Sequence, residues 1–151
     1  MAYPDFAKDD IYMRMTVHLL RTANLIDYAV SQVLKEYGIT HIQFNILRIL
    51  ESSGPEPISV KSIRDQLIFS SRDVTRLLDR LETKGYVIRR ICPENRRKMD
   101  VTLTEGGTEV IKKSLPQIRL ALNDYFRDLL DENQAEELMV KMKQIAESIT
   151  N

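Results

Sequence analysis

At Gly85 the spacing of the apolar residues changes, and that change decides which folds are open to the chain. Before it, in SSRDVTRLLDRLETKGYVIRR (residues 70–90), Val74, Leu77, Leu78 and Leu81 lie within one arc of a helix, which buries a single face. After it, YVIRRIC and KMDVTLT are β-branched and partly alternating, as two strands would be. The turn-like Pro93-Glu94-Asn95 and two arginines join them, so this part reads as a hairpin with a basic tip. The chain is therefore mainly α with a small β-hairpin.

The flanking sequence supplies further helices. From about residue 10 to 37, Leu19, Ala23, Ile26, Val30, Val33 and Tyr37 recur at threes and fours, and Gly38 follows as a left-handed stop. Thr40 with Gln43 forms a capping box for a second helix whose core positions are Phe44, Leu47 and Leu50, ending before Gly54-Pro55. A short third helix after Pro57 is capped by Ser59 and turns Ile63 and Leu67 inward. Ser70 is the expected N-cap of the fourth, with Asp73 at its third helical position. Thr104 caps a long helix through the 120s, in which Pro116 predicts a kink near Ser114 or two helices in place of one. Asp131 with Gln134 starts the last helix, striped by Ala135, Leu138, Met142, Ile145 and Ile149. The outer helices carry more apolar stripe than one small domain needs, and two copies interlocking into a symmetric dimer would cover it.

The formal charge is zero, but it is not spread evenly. Between Lys61 and Lys98 there are eleven Lys and Arg against five Asp and Glu. A surplus of six cations in the middle, offset by acids on either side, suggests a face for a polyanion. The N-terminus MAYPDFAKDD lacks the basic start and apolar core of a signal peptide, and no apolar run approaches a membrane span. A single cysteine, Cys92, excludes an intrachain disulfide framework and fits a reducing bacterial cytoplasm. It reads as a half-buried structural thiol, although Arg89 and Arg90 would favour its thiolate if they approached the sulfur. His18 and His41 lie far apart with no CxxC or HxxxH pattern, which is a weak case for a metal. His18 reads as an interface histidine. With no nucleophile–base arrangement and no Gly-rich phosphate loop, neither an enzyme nor a cofactor is expected.

Helix, turn, helix and hairpin in this order is the plan of a winged helix-turn-helix, whose second helix enters the major groove. In the fourth helix the leucines take the inner face and push Arg72, Arg76, Asp79 and Thr83 to the other side, with Thr75 and Arg80 on the flanks. Arg72 and Arg76 suit a guanine edge, Ser71 and Thr75 a phosphate or base, and Arg96 and Arg97 a flanking groove or backbone. A competing plan is a dimeric helical adaptor that binds protein through the same winged unit. Such a surface should be more apolar at its centre.

These residues also carry a family resemblance. SSRDVTRLLDRLETKGYVIRR, followed by PENRRKMDVTLTEGG, resembles the MarR family of bacterial transcriptional regulators. Val74, Thr75, Arg76, Leu77, Asp79, Arg80, Leu81, Glu82, Lys84 and Gly85 match its recognition-helix pattern, and Arg97, Val101, Leu103, Thr104 and Gly107 its wing pattern. The resemblance implies one domain over residues 1–151, with dimerisation helices at about 10–37 and 105–151 and a winged helix-turn-helix at about 40–104. It implies a homodimer on a pseudo-palindromic operator in double-stranded DNA, usually as a repressor, which in many members a small aromatic or anionic effector releases. The DNA-binding set carried over is Ser70, Ser71, Arg72, Thr75, Arg76, Asn95, Arg96 and Arg97. Asn95 departs from the pattern, which has Asp there, and an amide holds a neighbouring arginine less firmly than a carboxylate.

Overall fold

The computed structural model describes residues 10–68, 73–93 and 95–150, with Arg96 and Arg97 described by backbone alone. In chain order the elements are α1 (Ile11–Lys35), α2 (His41–Ser52), β1 (Ile58–Ser59), α3 (Val60–Gln66), α4 (Val74–Thr83), β2 (Val87–Cys92), β3 (Asn95–Leu103), α5 (Glu105–Phe126) and α6 (Glu132–Thr150). The strands form one antiparallel sheet in the order β1-β3-β2. The helical class, the winged arrangement and the hairpin match the sequence reading, whereas no pattern in the sequence marks β1. Two residues are too few to show a period, and Ile58 and Ser59 are strand only because Val101 and Asp100 lie opposite them.

Local chemistry explains where most helices begin. Asp10 accepts hydrogen bonds from the Tyr12 and Met13 amides at 2.8 and 3.0 Å. Thr40 and Gln43 make both halves of their capping box. Ser59 accepts from the Ser62 amide at 3.1 Å, and Asp131 and Gln134 cap each other's amides at 2.9 and 3.0 Å. Such bonds satisfy amides that the first helical turn leaves without a partner.

α4 departs from expectation. It begins at Val74, so Asp73 is the N-cap residue itself and not the third helical position, and its side chain makes no capping bond. The expected cap, Ser70, lies outside the described residues.

α2 is the centre of the core. Phe44, Leu47 and Leu50 are buried as expected, but so are Gln43, Asn45, Ile46 and Ile49. Elements surround this helix on several sides, so burial exceeds a single stripe. Val30 and Leu34 of α1, Ile63 of α3, Val74, Leu78 and Leu81 of α4, and Val110, Ile111 and Ile118 of α5 complete the cluster with Val87 and Val101 of the sheet.

One junction ties α4, the wing and α5 together. Gly85 has φ +72°, and beside it the Tyr86 amide donates to the Leu81 carbonyl and the Gly85 amide to the Glu82 carbonyl. This pair of bonds closes the helix in a Schellman turn that favours glycine at the left-handed position. Thr104 donates its hydroxyl to the Gly85 carbonyl at 2.6 Å and accepts from the Gly107 amide at 3.1 Å. A Cβ on Gly107 would stand 2.3 Å from the Tyr86 carbonyl oxygen, so α5 can approach the wing this closely only with glycine there.

Pro116 does not divide its helix, because α5 runs unbroken from Glu105 to Phe126. Proline removes one amide and crowds the preceding turn. Side-chain hydroxyls serve carbonyls in the turns before it: Tyr37 from outside the helix bonds to the Lys113 carbonyl at 3.1 Å, and Ser114 Oγ within it to the Val110 carbonyl at 2.7 Å.

Candidate nucleic-acid interface

The exposed surface of α4 follows from its buried one. Val74, Leu78 and Leu81 have no exposed surface, which fixes the roll of the helix and turns Thr75, Arg76, Asp79, Arg80 and Thr83 outward. The Arg76 side chain is 72% exposed, and its guanidinium lies 3.6 Å from the Asp73 carboxylate. At that exposure and distance the ion pair is weak and readily exchanged, so it does not tie Arg76 down. Ser70, Ser71 and Arg72 lie outside the described residues. Of the sequence-derived set on this helix, Thr75 and Arg76 are therefore brought together at its exposed first turn.

The turn before α4 is anchored from the core. Asn45 of α2 is 8% exposed, and its side-chain oxygen accepts from the Ile68 amide at 3.0 Å. A buried amide side chain needs such a partner, and here it fixes the path of the chain after α3. Sequence periodicity shows Asn45 only as a polar residue among apolar ones.

The hairpin carries the second group of candidates. Ile91 pairs with Met99, but its neighbour Cys92 pairs with Asn95, with a break in register between them. Residues 96–98 therefore have no opposite number on β2. A bulge of this kind bends the strand and redirects what it carries, and it falls where Arg96, Arg97 and Lys98 occur in sequence. Asn95 is exposed at the start of β3.

Arg89 has a different position from the one its charge suggested. Its guanidinium bonds to Glu82 at 2.9 Å through Nε and 2.6 Å through Nη2, and Nη2 is also 2.6 Å from Asp79. The hydrogen bond from Arg89 holds the Glu82 carboxyl below its ordinary pKa, and the same bond raises that of Arg89. This cation is spoken for inside the molecule, so the basic surface is smaller than the residue count implied. It is also drawn toward α4 and its acids, which removes the sequence-based case for its acting on Cys92.

The histidines separate as well. His18 is exposed on α1. His41 Nδ1 lies 2.6 Å from the Asp27 carboxylate, linking α1 to the first residue of α2. Nothing in the sequence spacing signals that contact, which spans fourteen residues and a turn.

Away from this interface, α6 buries none of its residues. With α1 and α5 it borders an apolar groove of about 810 Å³, lined among others by Ile26, Phe126, Leu130, Met139 and Met142. Among the described residues no helix is long and apolar enough to cross a membrane.

Comparisons with known proteins agree with this geometry. The model of the MarR family matches residues 39–99. Over 128 residues the chain is 30% identical to the HTH-type transcriptional regulator PapX of Escherichia coli, covering 85% of this chain and 73% of PapX. The fold is similar to that of Sco3205, a MarR family transcriptional regulator from Streptomyces coelicolor solved in complex with DNA. The TM-score is 0.81 at 24% identity, covering 100% of this chain and 93% of that one. It is also similar to the organohalide-sensing regulator RdhR-CbdbA1625 in its 2,4-dichlorophenol bound form, with a TM-score of 0.84 at 15% identity over 98% and 86% of the two chains.

Proposed function

The chain belongs to the MarR family of transcriptional regulators, and from that premise we propose a homodimeric repressor that holds a pseudo-palindromic operator with α4 and the wing. The observation that carries this reading is the roll of α4. Val74, Leu78 and Leu81 are wholly buried and Leu77 partly so, while Thr75 and Arg76 stand exposed at its first turn. A helix entering the major groove reads base edges from that end, and arginine's fork matches the two acceptors of guanine. Ser70, Ser71 and Arg72, just before α4, are assigned to the same contact. Asn95, Arg96 and Arg97 are assigned to flanking DNA beyond the bulge. The exposed centre of α4 holds Thr75, Arg76 and Asp79, which is too polar for the core of a protein-binding patch and favours DNA over an adaptor role.

The arms support the second copy. Tyr12, Leu20, Leu25 and Tyr28 of α1 are 60–73% exposed, and Met139 and Ile149 of α6 are 61% and 77% exposed. Apolar surface of this extent marks an interface, and an isologous pairing of α1, α5 and α6 covers it on both chains. Two α4 helices then stand at a fixed separation, which must be about 34 Å, one turn of duplex, for both to enter adjacent major grooves. A small aromatic or anionic effector that favours another separation would release the DNA by shifting that population. The protein acts in the cytoplasm, where its operator is.

The test is recovery of bound fragments from the parent genome at fixed salt, with the wild type and with Arg76→Ala. The wild type should enrich a two-fold symmetric site. Arg76→Ala should lose about 1–3 kcal/mol on that site and far less on unrelated duplex. Equal losses on both would remove Arg76 from base reading.

A further inference from the structure

We propose that Arg89 is a positioning residue for DNA binding: a latch at the root of the wing that sets its angle to α4 without touching DNA itself. This rests on the DNA-binding reading above and adds a residue to it.

Arg89 stands on the inner face of β2, in alternation with Val87 and Ile91. Along that face burial falls away: Val87 and Val101, the residue opposite Arg89, are buried, whereas the next pair, Ile91 and Met99, is 60% and 38% exposed. Arg89 is therefore where the hairpin leaves the body, and its guanidinium takes the place a core side chain would fill. Glu82 receives three hydrogen bonds from this one residue, from the backbone amide at 3.2 Å and from Nε and Nη2 at 2.9 and 2.6 Å. Asp79, one turn earlier on α4, takes Nη2 at 2.6 Å. The backbone bond carries particular information. β2 is an edge of the sheet, so an outward amide there has no strand to pair with, and the Glu82 carboxylate supplies the acceptor. Both acids belong to the helix proposed to read bases, so the latch joins the base-reading element directly to the backbone-reading one.

The lever arm gives the latch its leverage. Cys92 lies three positions beyond Arg89, about 10 Å along the strand. A tilt of about 10° at the root would move the basic tip by roughly 2 Å, enough to miss a phosphate that must be met within hydrogen-bond reach.

The proposal makes a prediction opposite in sign to simple charge counting. Asp79→Asn combined with Glu82→Gln removes two negative charges near DNA and frees a cation, so electrostatics alone predicts tighter binding. The latch predicts weaker binding, by about tenfold, the worth of roughly one charge-assisted hydrogen bond. It also predicts a shallower salt dependence as wing contacts to phosphate are lost. The probe is a duplex recovered by the wild-type protein from genomic fragments. Arg89→Lys keeps the charge but not the fork and should bind like the double variant. Full retention by Arg89→Lys would identify Arg89 as an ordinary phosphate contact and overturn the proposal, as would unchanged or tighter binding by the double variant. Amide hydrogen exchange of Arg89 in the free protein supplies a readout independent of DNA. It should accelerate in Glu82→Gln while amides of α2 keep their protection, and an unchanged rate would also overturn the latch. If the wild type recovers no duplex at all, the DNA-binding reading fails and the inference with it.

Discussion

Glu82 and Arg89 show how much a single residue's role depends on what lies beside it. Counted by charge, Arg89 belongs to the basic surface; placed in the fold, it is bound to two carboxylates. This has a consequence in acid. The hydrogen bond from Arg89 holds the Glu82 carboxyl below its ordinary value of 4.5, so the folded chain takes up this proton less readily than the unfolded one. The resulting stability is fully present above about pH 4.5 and is lost as pH falls through the folded value. Thermal unfolding of the wild type should therefore decline more steeply below about pH 4.5 than that of Glu82→Gln. Parallel curves would show that the pair contributes nothing to folding. At the same scale, the capping boxes of Thr40 with Gln43 and Asp131 with Gln134 were legible because each lies within one turn of chain. The Asp27–His41 contact and the Asp79–Glu82–Arg89 group were not. They depend on how separate elements meet, and the sequence presents their members only as charges.

The elements were legible where one face meets one neighbour and obscure where several meet. The stripe of α4 predicted its buried face correctly, and with it the exposure of Thr75 and Arg76. α2 buries more than its stripe, and β1 exists only through its partner β3. A serine before a helical pattern is a strong local signal and predicts an earlier start for α4 than the structure has, since the helix begins at Val74. Pro116 predicts a kink near Ser114 or two helices, and α5 is not divided there; the Tyr37 hydroxyl that reaches the Lys113 carbonyl in the turn before it comes from a distant part of the chain. Removing that hydroxyl with Tyr37→Phe should cost about 0.5–1.5 kcal/mol in denaturant unfolding, the net worth of one hydrogen bond. The junction between α4, the wing and α5 should be less tolerant. Gly107→Ala places a methyl group against the Tyr86 carbonyl and should destabilise by about 1–3 kcal/mol, as overpacking does. A variant as stable as the wild type would mean that α5 moves away from the wing more easily than its contacts suggest. On the wing itself, Arg97→Ala should weaken binding to all duplexes alike and reduce the salt slope by about one. Loss confined to the operator would make Arg97 a reader of sequence.

At the scale of the whole molecule, the body around α2 is buried and the arms are largely exposed. A fully buried core holds α4 and the root of the wing, while α6 and the outer half of α1 keep their apolar residues exposed. The sequence showed this surplus of apolar stripe but not which residues would remain uncovered, since that depends on how α5 and α6 lie against α1. The proposed assembly joins the two observations: pairing of the arms covers the exposed stripes and sets two α4 helices at a separation that a duplex can accept. Sedimentation of the purified protein, alone and with a duplex it has selected from genomic fragments, tests that assembly most directly. Two chains per particle in the free state, and two chains on one duplex at low salt, are the predicted result. A chain that remains single at micromolar concentration and sediments apart from every duplex would contradict it.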